Sequence, residues 1–395
     1  MAKQSIGVFG GSFDPIHSGH IRVALHVLDT CELDRLIILP TGNPPYKTCE
    51  ASAEDRWKMV TAACAFDSRL VPSRLELDRP GKVFTIDTLL DLKKEYPSAS
   101  FLYVVGADSL MKVGNWHCSR EVLSLCSFVV FPRNTVGSNE LLSEVKRLEA
   151  MGGKVRVLPA APVSFSSTEL RASLSSATDS PALSVAVLEY CTCKGLYGAP
   201  VRVAQAGEWV DGLFSSLKPR RFAHSLSVAY EARRLALLHG IDPLRAEQAG
   251  LLHDCAKCLP LSEMQSIALS HSLTADPAFL SSEALLHSLV GAQVAHDRYG
   301  MTDPDVLDAI AFHNTGFPGM SRLAMCVCLA DSIEPLRAGY PRLDKVRALA
   351  ESSLEQALLL SLEGTADYVL SRGLYLHPRT RNTIEWLRDL VRRQK

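Results

Sequence analysis

Residues 10–20 read Gly-Gly-Ser-Phe-Asp-Pro-Ile-His-Ser-Gly-His. His17 and His20 are three apart, so they share one face at the start of a helix. Imidazoles placed there can donate to phosphate oxygens and stabilise charge on a departing pyrophosphate. Gly10 and Gly11 let the main chain turn and approach a ligand closely. Free N–H groups and the helix dipole at a helix N-terminus add to the attraction for an anion. The chemistry these residues can do together is to hold a nucleoside triphosphate by its phosphates.

A second set of chemistry-bearing residues follows residue 208, where eight of the twelve histidines lie. His224 sits in Arg221-Phe222-Ala223-His224-Ser225. His253 and Asp254 sit in Gly250-Leu251-Leu252-His253-Asp254-Cys255-Ala256-Lys257. His287, His313 and Asp331 sit in Leu286-His287-Ser288, Phe312-His313-Asn314 and Ala330-Asp331-Ser332. Each polar residue is set among apolar residues of helical pattern. A buried histidine or aspartate without partners carries a large desolvation cost. Several converging on one point are satisfied by a metal ion. His296-Asp297 is a second such dipeptide, but its distance from His287 is about two and a half helical turns, which turns it to the opposite face. It is expected at the surface, as are His239, His271 and His377.

The elements that must position these residues follow from the pattern. Ser5 to Phe9 is a short apolar strand, and an apolar helix pattern starts at Ser18. Leu36–Leu39, Phe101–Val105, Phe128–Phe131 and Val155–Leu158 are further strand candidates. Helical patterns lie between them near 53–66, 86–95, 119–125 and 139–150. Such alternation predicts a doubly wound parallel sheet with helices on both faces. Ligands then collect at the carboxyl ends of strands. There lie Pro44-Pro45-Tyr46-Lys47, Gly106-Ala107-Asp108-Ser109, Arg133 and Ser166-Ser167-Thr168-Glu169-Leu170-Arg171. Gly195 to Gln205, with Gly198 and Pro200, has the texture of a connection. Units of 1–198 and 208–395 with a linker at 199–207 follow, the second all helical.

The 395 residues are 47% hydrophobic, enough for packed cores, and the net charge of −1 argues against a generic nucleic-acid surface. Eleven scattered cysteines, an odd count, suit free thiols in a reducing cytoplasm. Cys255-x-x-Cys258 is expected to lie in a helix beside better ligands. No run of 18 or more apolar residues is present, so neither a membrane span nor a signal peptide is expected. A homo-oligomer is left open.

The long motif at 10–20 resembles the signature of the adenylyl- and cytidylyltransferase superfamily. Ser166-Ser167-Thr168-x-Leu170-Arg171, Pro44-Pro45-x-Lys47, Thr85-Ile86-Asp87-Thr88-Leu89, Gly106-Ala107-Asp108-Ser109 and Trp116 narrow it. Over about 4–198 the chain resembles the nicotinate-nucleotide adenylyltransferases, the NadD family, with Tyr46 where that family usually has His. The resemblance implies AMP transfer from ATP, with Mg²⁺, to nicotinate mononucleotide. His17 and His20 would be catalytic. The ATP site would hold Gly10, Gly11, Ser12, Phe13, His17, His20, Gly106, Asp108, Ser166, Ser167, Thr168 and Arg171. Thr85 and Trp116 would take the nicotinate ring, and Lys47 and Arg133 the mononucleotide phosphate.

The second set is similar to the HD-domain metal phosphohydrolases. With Leu251-Leu252-His253-Asp254-x-Ala256-Lys257 and Ala330-Asp331-x-Ile333-Glu334-Pro335 it resembles their YqeK-type branch. That branch cleaves diadenosine tetraphosphate to two ADP at a di-iron site. The resemblance implies that His224, His253, Asp254 and Asp331 hold one metal and that Asp254 bridges to a second held by His287 and His313. A bridging water would be the nucleophile. Lys257 would offset phosphate charge. The rival expectation is an adenylyltransferase for another acceptor, such as phosphopantetheine, joined to a non-catalytic, nucleotide-sensing helical module. Thr85 and Trp116 argue against that acceptor.

Overall fold

The computed structural model describes residues 4–42, 48–131, 136–159, 167–176 and 182–393. Among them, β1 (Ser5–Gly11), β2 (Arg35–Pro40), β3 (Leu70–Pro72), β4 (Ser100–Gly106), β5 (Cys126–Phe131) and β6 (Val155–Val157) form one parallel sheet in the order β3-β2-β1-β4-β5-β6. A parallel sheet is covered on both faces, so its inner strands are continuous apolar runs. Ile6, Val8, Leu36, Leu39, Phe128 and Val129 are all fully buried. The strand order reverses between β1 and β4, which leaves a crevice beyond their carboxyl ends. Phe9 pairs with Val104 there, so Gly10 and Gly11 end beside Val105 and Gly106. β3 was not expected. Three residues carry no readable period, and Pro72 suits an edge strand that needs no donor.

The helices Ala53–Cys64, Thr85–Glu95, Ser119–Leu125 and Ser138–Ala150 lie where the pattern predicts. Ser18–Thr30 buries Val23, Ala24, Val27 and Leu28. The doubly wound α/β class is the observed one.

The chain divides into two compact units, Met1–Val187 with Leu196–Pro200 and Leu188–Gly195 with Val201–Lys395. Among its described residues the second unit is wholly helical, and no helix is long and apolar enough to cross a membrane. Sequence punctuation sets its helices. Asp242-Pro243 and Asp303-Pro304 start Pro243–Leu252 and Pro304–Phe312, each aspartate accepting two N–H groups of the first turn. Gly240 and Gly300, at φ of 65° and 68°, end Pro219–His239 and Glu283–Tyr299.

The second unit also contains a buried ion cluster. Arg202 donates to both Glu189 and Glu247, each at 2.7 Å, and the Cys193 thiol donates to Glu189 at 3.7 Å. Glu189, Cys193 and Glu247 have metal-ligand spacing, but the guanidinium already supplies the cation. Burial, then the charge of Glu247, pushes Glu189 up to about 8 against the pull of Arg202. A carboxyl raised on folding holds its proton in the folded state and loses it in the unfolded chain. Its contribution is therefore complete below the ordinary glutamate range and is lost as pH rises to about 8. Denaturant unfolding of the wild type against Glu189→Gln should show this. The difference is expected to change by up to about 1.4 kcal/mol per pH unit between the ordinary glutamate range and about 8 and to be level on either side. Parallel pH profiles for the two proteins would contradict the assignment.

Candidate active sites

In the helical unit, helix packing brings five sequence-distant segments to one point. Gly250 permits the closest approach. A Cβ there would lie 2.9 Å from the Val228 carbonyl oxygen and 3.0 Å from Ala229 Cα. Pro243–Leu252 thus lies against Pro219–His239, and His253 comes to His224 with ring centroids 5.2 Å apart. His253 and Asp254 lie past the helix end, in a turn over 253–258, so Cys255 and Cys258 are not helical as expected. Cys255 N–H donates to Leu252 and Lys257 N–H to Asp254, both three residues back. This tighter winding lets two successive residues both face inward, which a regular helix would turn about 100° apart. Cys255 is no ligand candidate, since its thiol donates to the Gly291 carbonyl at 3.2 Å.

All four imidazoles are oriented by their Nδ1 atoms. His253 Nδ1 faces the Gly250 carbonyl at 2.7 Å, His313 Nδ1 that of Ile310 at 2.8 Å and His287 Nδ1 that of Glu283 at 3.1 Å. A carbonyl only accepts, so Nδ1 of His253 and of His313 carries the proton and Nε2 keeps a lone pair; His287 Nδ1 also meets the Lys257 ammonium at 3.2 Å, and its Nε2 meets His313 Nε2 at 3.2 Å. His224 Nδ1 pairs instead with the buried Glu334 carboxylate at 3.0 Å. The Nε2 atoms then face two carboxylates. His224 Nε2 lies 2.9 Å from Asp331 Oδ1, and His253 Nε2 lies 3.7 Å from Asp254 Oδ2 and 3.9 Å from Asp331 Oδ1. On the other side, His287 and His313 Nε2 lie 3.3 and 3.8 Å from Asp254 Oδ1. The two oxygens of Asp254 thus face two separate imidazole sets.

Burial would raise Asp254, but at the low pH where a carboxyl titrates the neighbouring His253 and His287 take up protons, and with Lys257 they hold it well below the usual carboxylate range. Burial pulls His287 and His313 down to about 4, so both rings are neutral at neutral pH. Burial also opposes charge on His224, yet Asp331 and Glu334 outweigh it and raise the ring to about 9. A proton there stands where a cation would. His253 Nε2 is fully buried and makes no hydrogen bond among the described residues. An orphaned lone pair among carboxylates is the state a metal ion relieves, and nitrogen with oxygen donors suits iron, manganese or zinc. Three cations border the cluster: Arg221 on Asp254 at 3.0 Å, Arg337 on Asp331 at 3.5 Å and Lys257 on His287 at 3.0 Å.

His296 is exposed and paired with Asp297, and His271 is exposed, both as expected. His239 is half-buried and bonded to the Ala350 carbonyl. His377 is a correction. It is buried, 3.0 Å from Asp276 and packed edge-on against Phe279. It precedes a helix and belongs to no periodic pattern, so its burial is set by tertiary packing alone.

In the sheet unit, His17 is the N-cap of Ser18–Thr30. Its Nδ1 accepts from Gly19 N–H at 3.1 Å, and His20 Nδ1 accepts from His17 N–H at 3.3 Å. The rings stack with centroids 3.7 Å apart. Because both Nδ1 atoms accept, the neutral rings carry their protons on Nε2, the tautomer that donates to a phosphate. Phe13 is buried and meets the His20 ring edge-on at 5.0 Å. Gly106 caps Ala107–Val113, and Asp108 is exposed in its first turn. Ser167 Oγ donates to the Pro15 carbonyl at 3.5 Å, and Arg171 donates to the Asp14 carbonyl at 2.8 Å and pairs with Glu50 at 3.2 Å. The exposed Thr168 is joined to Arg171. The Ser167–Ser175 helix is therefore gathered onto the loop at 12–15. Thr85 opens Thr85–Glu95, and half-buried Trp116 packs edge-on against Tyr103 and Phe128 at 6.0 and 6.2 Å. Lys47, Arg133 and Ser166 lie outside the described residues.

Three residues here were not singled out from the sequence as site residues. Buried Asp14 accepts from Glu50 and Ala51 N–H and from the Tyr197 hydroxyl at 2.8 Å. It ties three segments together and so acts as a frame for the loop. Arg56, also fully buried, donates to the carbonyls of Ser12 and Gly42. Tyr103 bonds to Thr85, packs on Trp116 and would lie 3.0 Å from a Cβ at Gly10. Asp14 alone had a visible signal, its place inside the motif.

The Cytidylyltransferase-like family model matches residues 8–173 and the HD domain model residues 221–336. A Mycoplasma genitalium protein described as "Probable nicotinate-nucleotide adenylyltransferase/Ap4A hydrolase" is 30% identical over 91% of this chain and 97% of its own. A Neisseria meningitidis serogroup B protein described as "Probable nicotinate-nucleotide adenylyltransferase" is 36% identical over 49% of this chain and 98% of its own. A Clostridium acetobutylicum crystal structure, described as a "predicted HD superfamily hydrolase involved in NAD metabolism", is 37% identical. It covers 46% of this chain and 96% of its own, with a TM-score of 0.45.

Proposed function

The chain belongs to the family of nicotinate-nucleotide adenylyltransferases fused to an Ap4A hydrolase, and on that premise we propose that it is a bifunctional enzyme. The sheet unit transfers AMP from ATP to nicotinate mononucleotide, giving deamido-NAD and pyrophosphate. The helical unit hydrolyses diadenosine tetraphosphate symmetrically to two ADP. The observation that carries the second assignment is Asp254, whose two oxygens face two imidazole sets.

Adenylyl transfer needs no enzyme nucleophile. The mononucleotide phosphate attacks the α-phosphorus in line, so positioning and charge stabilisation carry the rate. His17 and His20 donate Nε2–H to the phosphates of ATP, which binds with Mg²⁺. Gly10, Gly11, Ser12 and Phe13 shape the loop that admits them. Ser166, Ser167, Thr168 and Arg171 hold the β- and γ-phosphates at a helix N-terminus, and Gly106 and Asp108 meet the adenosine. Trp116 stacks on the nicotinate ring beside Thr85, and Lys47 and Arg133 take the acceptor phosphate.

In the helical unit His224, His253, Asp254 and Asp331 would hold one metal ion, and Asp254, His287 and His313 a second, both iron. When bound, such a pair lowers the pKa of a water and offsets phosphate charge. Arg221, Lys257 and Arg337 add positive charge around the tetraphosphate. The Gly250 and Ile310 carbonyls and Glu334 hold His253, His313 and His224 in orientations that suit ligation.

Product analysis on the full chain tests both assignments. ATP with nicotinate mononucleotide should yield deamido-NAD. Diadenosine tetraphosphate should yield ADP alone, and stripping the protein of tightly bound metal with a chelator, followed by assay in Mg²⁺ alone, should stop only this second reaction. AMP plus ATP as products, or no metal-dependent hydrolysis, would overturn the hydrolase assignment and favour a nucleotide-sensing module.

A further inference from the structure

After leaving the sheet unit the chain returns to it once. Leu196–Pro200 belongs to the sheet unit, although Leu188–Gly195 before it and the residues from Val201 onward belong to the helical unit. Tyr197, within this segment, is buried and has a left-handed backbone, with φ 58° and ψ 29°. Gly195 and Gly198 take that conformation freely, at φ of 62° and 72°. A bulky side chain does so only where its surroundings over-determine it. Gly198 also brings the segment against the end of Ser167–Ser175, where a Cβ would lie 3.2 Å from that of Ser175.

The Tyr197 hydroxyl donates to Asp14 Oδ1 at 2.8 Å. Asp14 is buried within the motif, three residues before His17. Its carboxylate also accepts from Glu50 N–H at 2.8 Å and Ala51 N–H at 3.1 Å, just before the Ala53–Cys64 helix. Its carbonyl accepts from Arg171, whose guanidinium pairs with Glu50 as well. One buried carboxylate thus joins the loop before His17, the residues leading into Ala53–Cys64 and the returning segment at Tyr197. Hydrogen bonds to an ionised group are the strong ones, so each leg constrains the others.

We propose that Tyr197 is a positioning residue for AMP transfer, acting through Asp14 to fix the loop at 12–15 and with it the place of His17. This rests on the adenylyltransferase assignment for the reaction served, but the constraint itself can be read without turnover.

Tyr197→Phe in the full chain removes one oxygen, keeps the ring and gives the test. Deamido-NAD formation is measured well below the melting temperatures of wild type and variant. The variant should lose about ten-fold in kcat, with KM for ATP and for nicotinate mononucleotide within about two-fold. A tyrosine that only filled space would change the melting temperature and leave kcat alone. Amide hydrogen exchange of the free protein should quicken at residues 10–22 and 48–56. In an Asp14→Ala background the same substitution should cost nothing more, because the acceptor is gone. Unchanged kcat in folded Tyr197→Phe overturns the proposal, as does an equal fall in the Asp14→Ala background. If Asp14→Ala does not fold, Tyr197→Phe decides alone. A wild type that forms no deamido-NAD refutes the adenylyltransferase assignment. Exchange then decides separately: quickened at 10–22 and 48–56 it upholds the constraint through Asp14, and unchanged it removes that too.

Discussion

Asp254→Asn is expected to lower hydrolysis of diadenosine tetraphosphate by at least about a thousand-fold while AMP transfer to nicotinate mononucleotide is unchanged. The expectation follows from where the two carboxylate oxygens lie. Oδ2 is on the side of His253 and Oδ1 on the side of His287 and His313. Asparagine keeps the shape but removes the charge and turns one oxygen into a donor that faces lone pairs. Both metal positions should weaken together, so metal analysis of purified variant and wild type is the companion measurement. The loss is not one of folding. Arg221, the cation paired with Asp254, is 40% exposed and can turn to water. An Asp254→Asn protein with wild-type metal content and wild-type hydrolysis would refute the bridging role. One with normal metal content and no hydrolysis would move Asp254 from binding to chemistry.

The sheet unit was legible because its signals are local and repeated. β1, β2, β4 and β5 are unbroken apolar runs between helical patterns, and a parallel sheet imposes that texture. β3 was lost because three edge residues leave no pattern. In the helical unit the six ligand candidates could be named, since polar residues set in apolar helices stand out. Their orientation could not. The carbonyls of Gly250 and Ile310 fix two tautomers, and backbone atoms have no signature in the sequence. Glu334 lies in a quoted motif, yet its place behind His224 depends on a crossing of two helices 110 residues apart. Arg56 and Tyr103 were missed for the same reason. Their partners are a carbonyl, a glycine and a ring brought near by the sheet, and none is within one helical turn of them.

His17→Ala is the second large effect expected, a fall of at least about a hundred-fold in AMP transfer with hydrolysis untouched. Two roles are combined in this residue, and they must be separated. As N-cap it accepts from Gly19 N–H, and loss of a cap costs about 1 kcal/mol of stability. As donor it presents Nε2–H toward the phosphates in the proposed mechanism, and charge on the departing pyrophosphate grows as the transition state is reached. An interaction made mainly in the transition state lowers kcat more than it raises KM. His17→Asn tells the roles apart. Asparagine is among the best N-caps, so it should restore the thermal stability lost in His17→Ala. Its amide is too short to stand in for Nε2, so kcat should stay near the alanine value while KM for ATP changes little. Recovery of kcat along with stability would make His17 a cap alone. It would also leave the donor role to His20, whose Nδ1 is held by the His17 backbone N–H and does not depend on the His17 side chain for its tautomer.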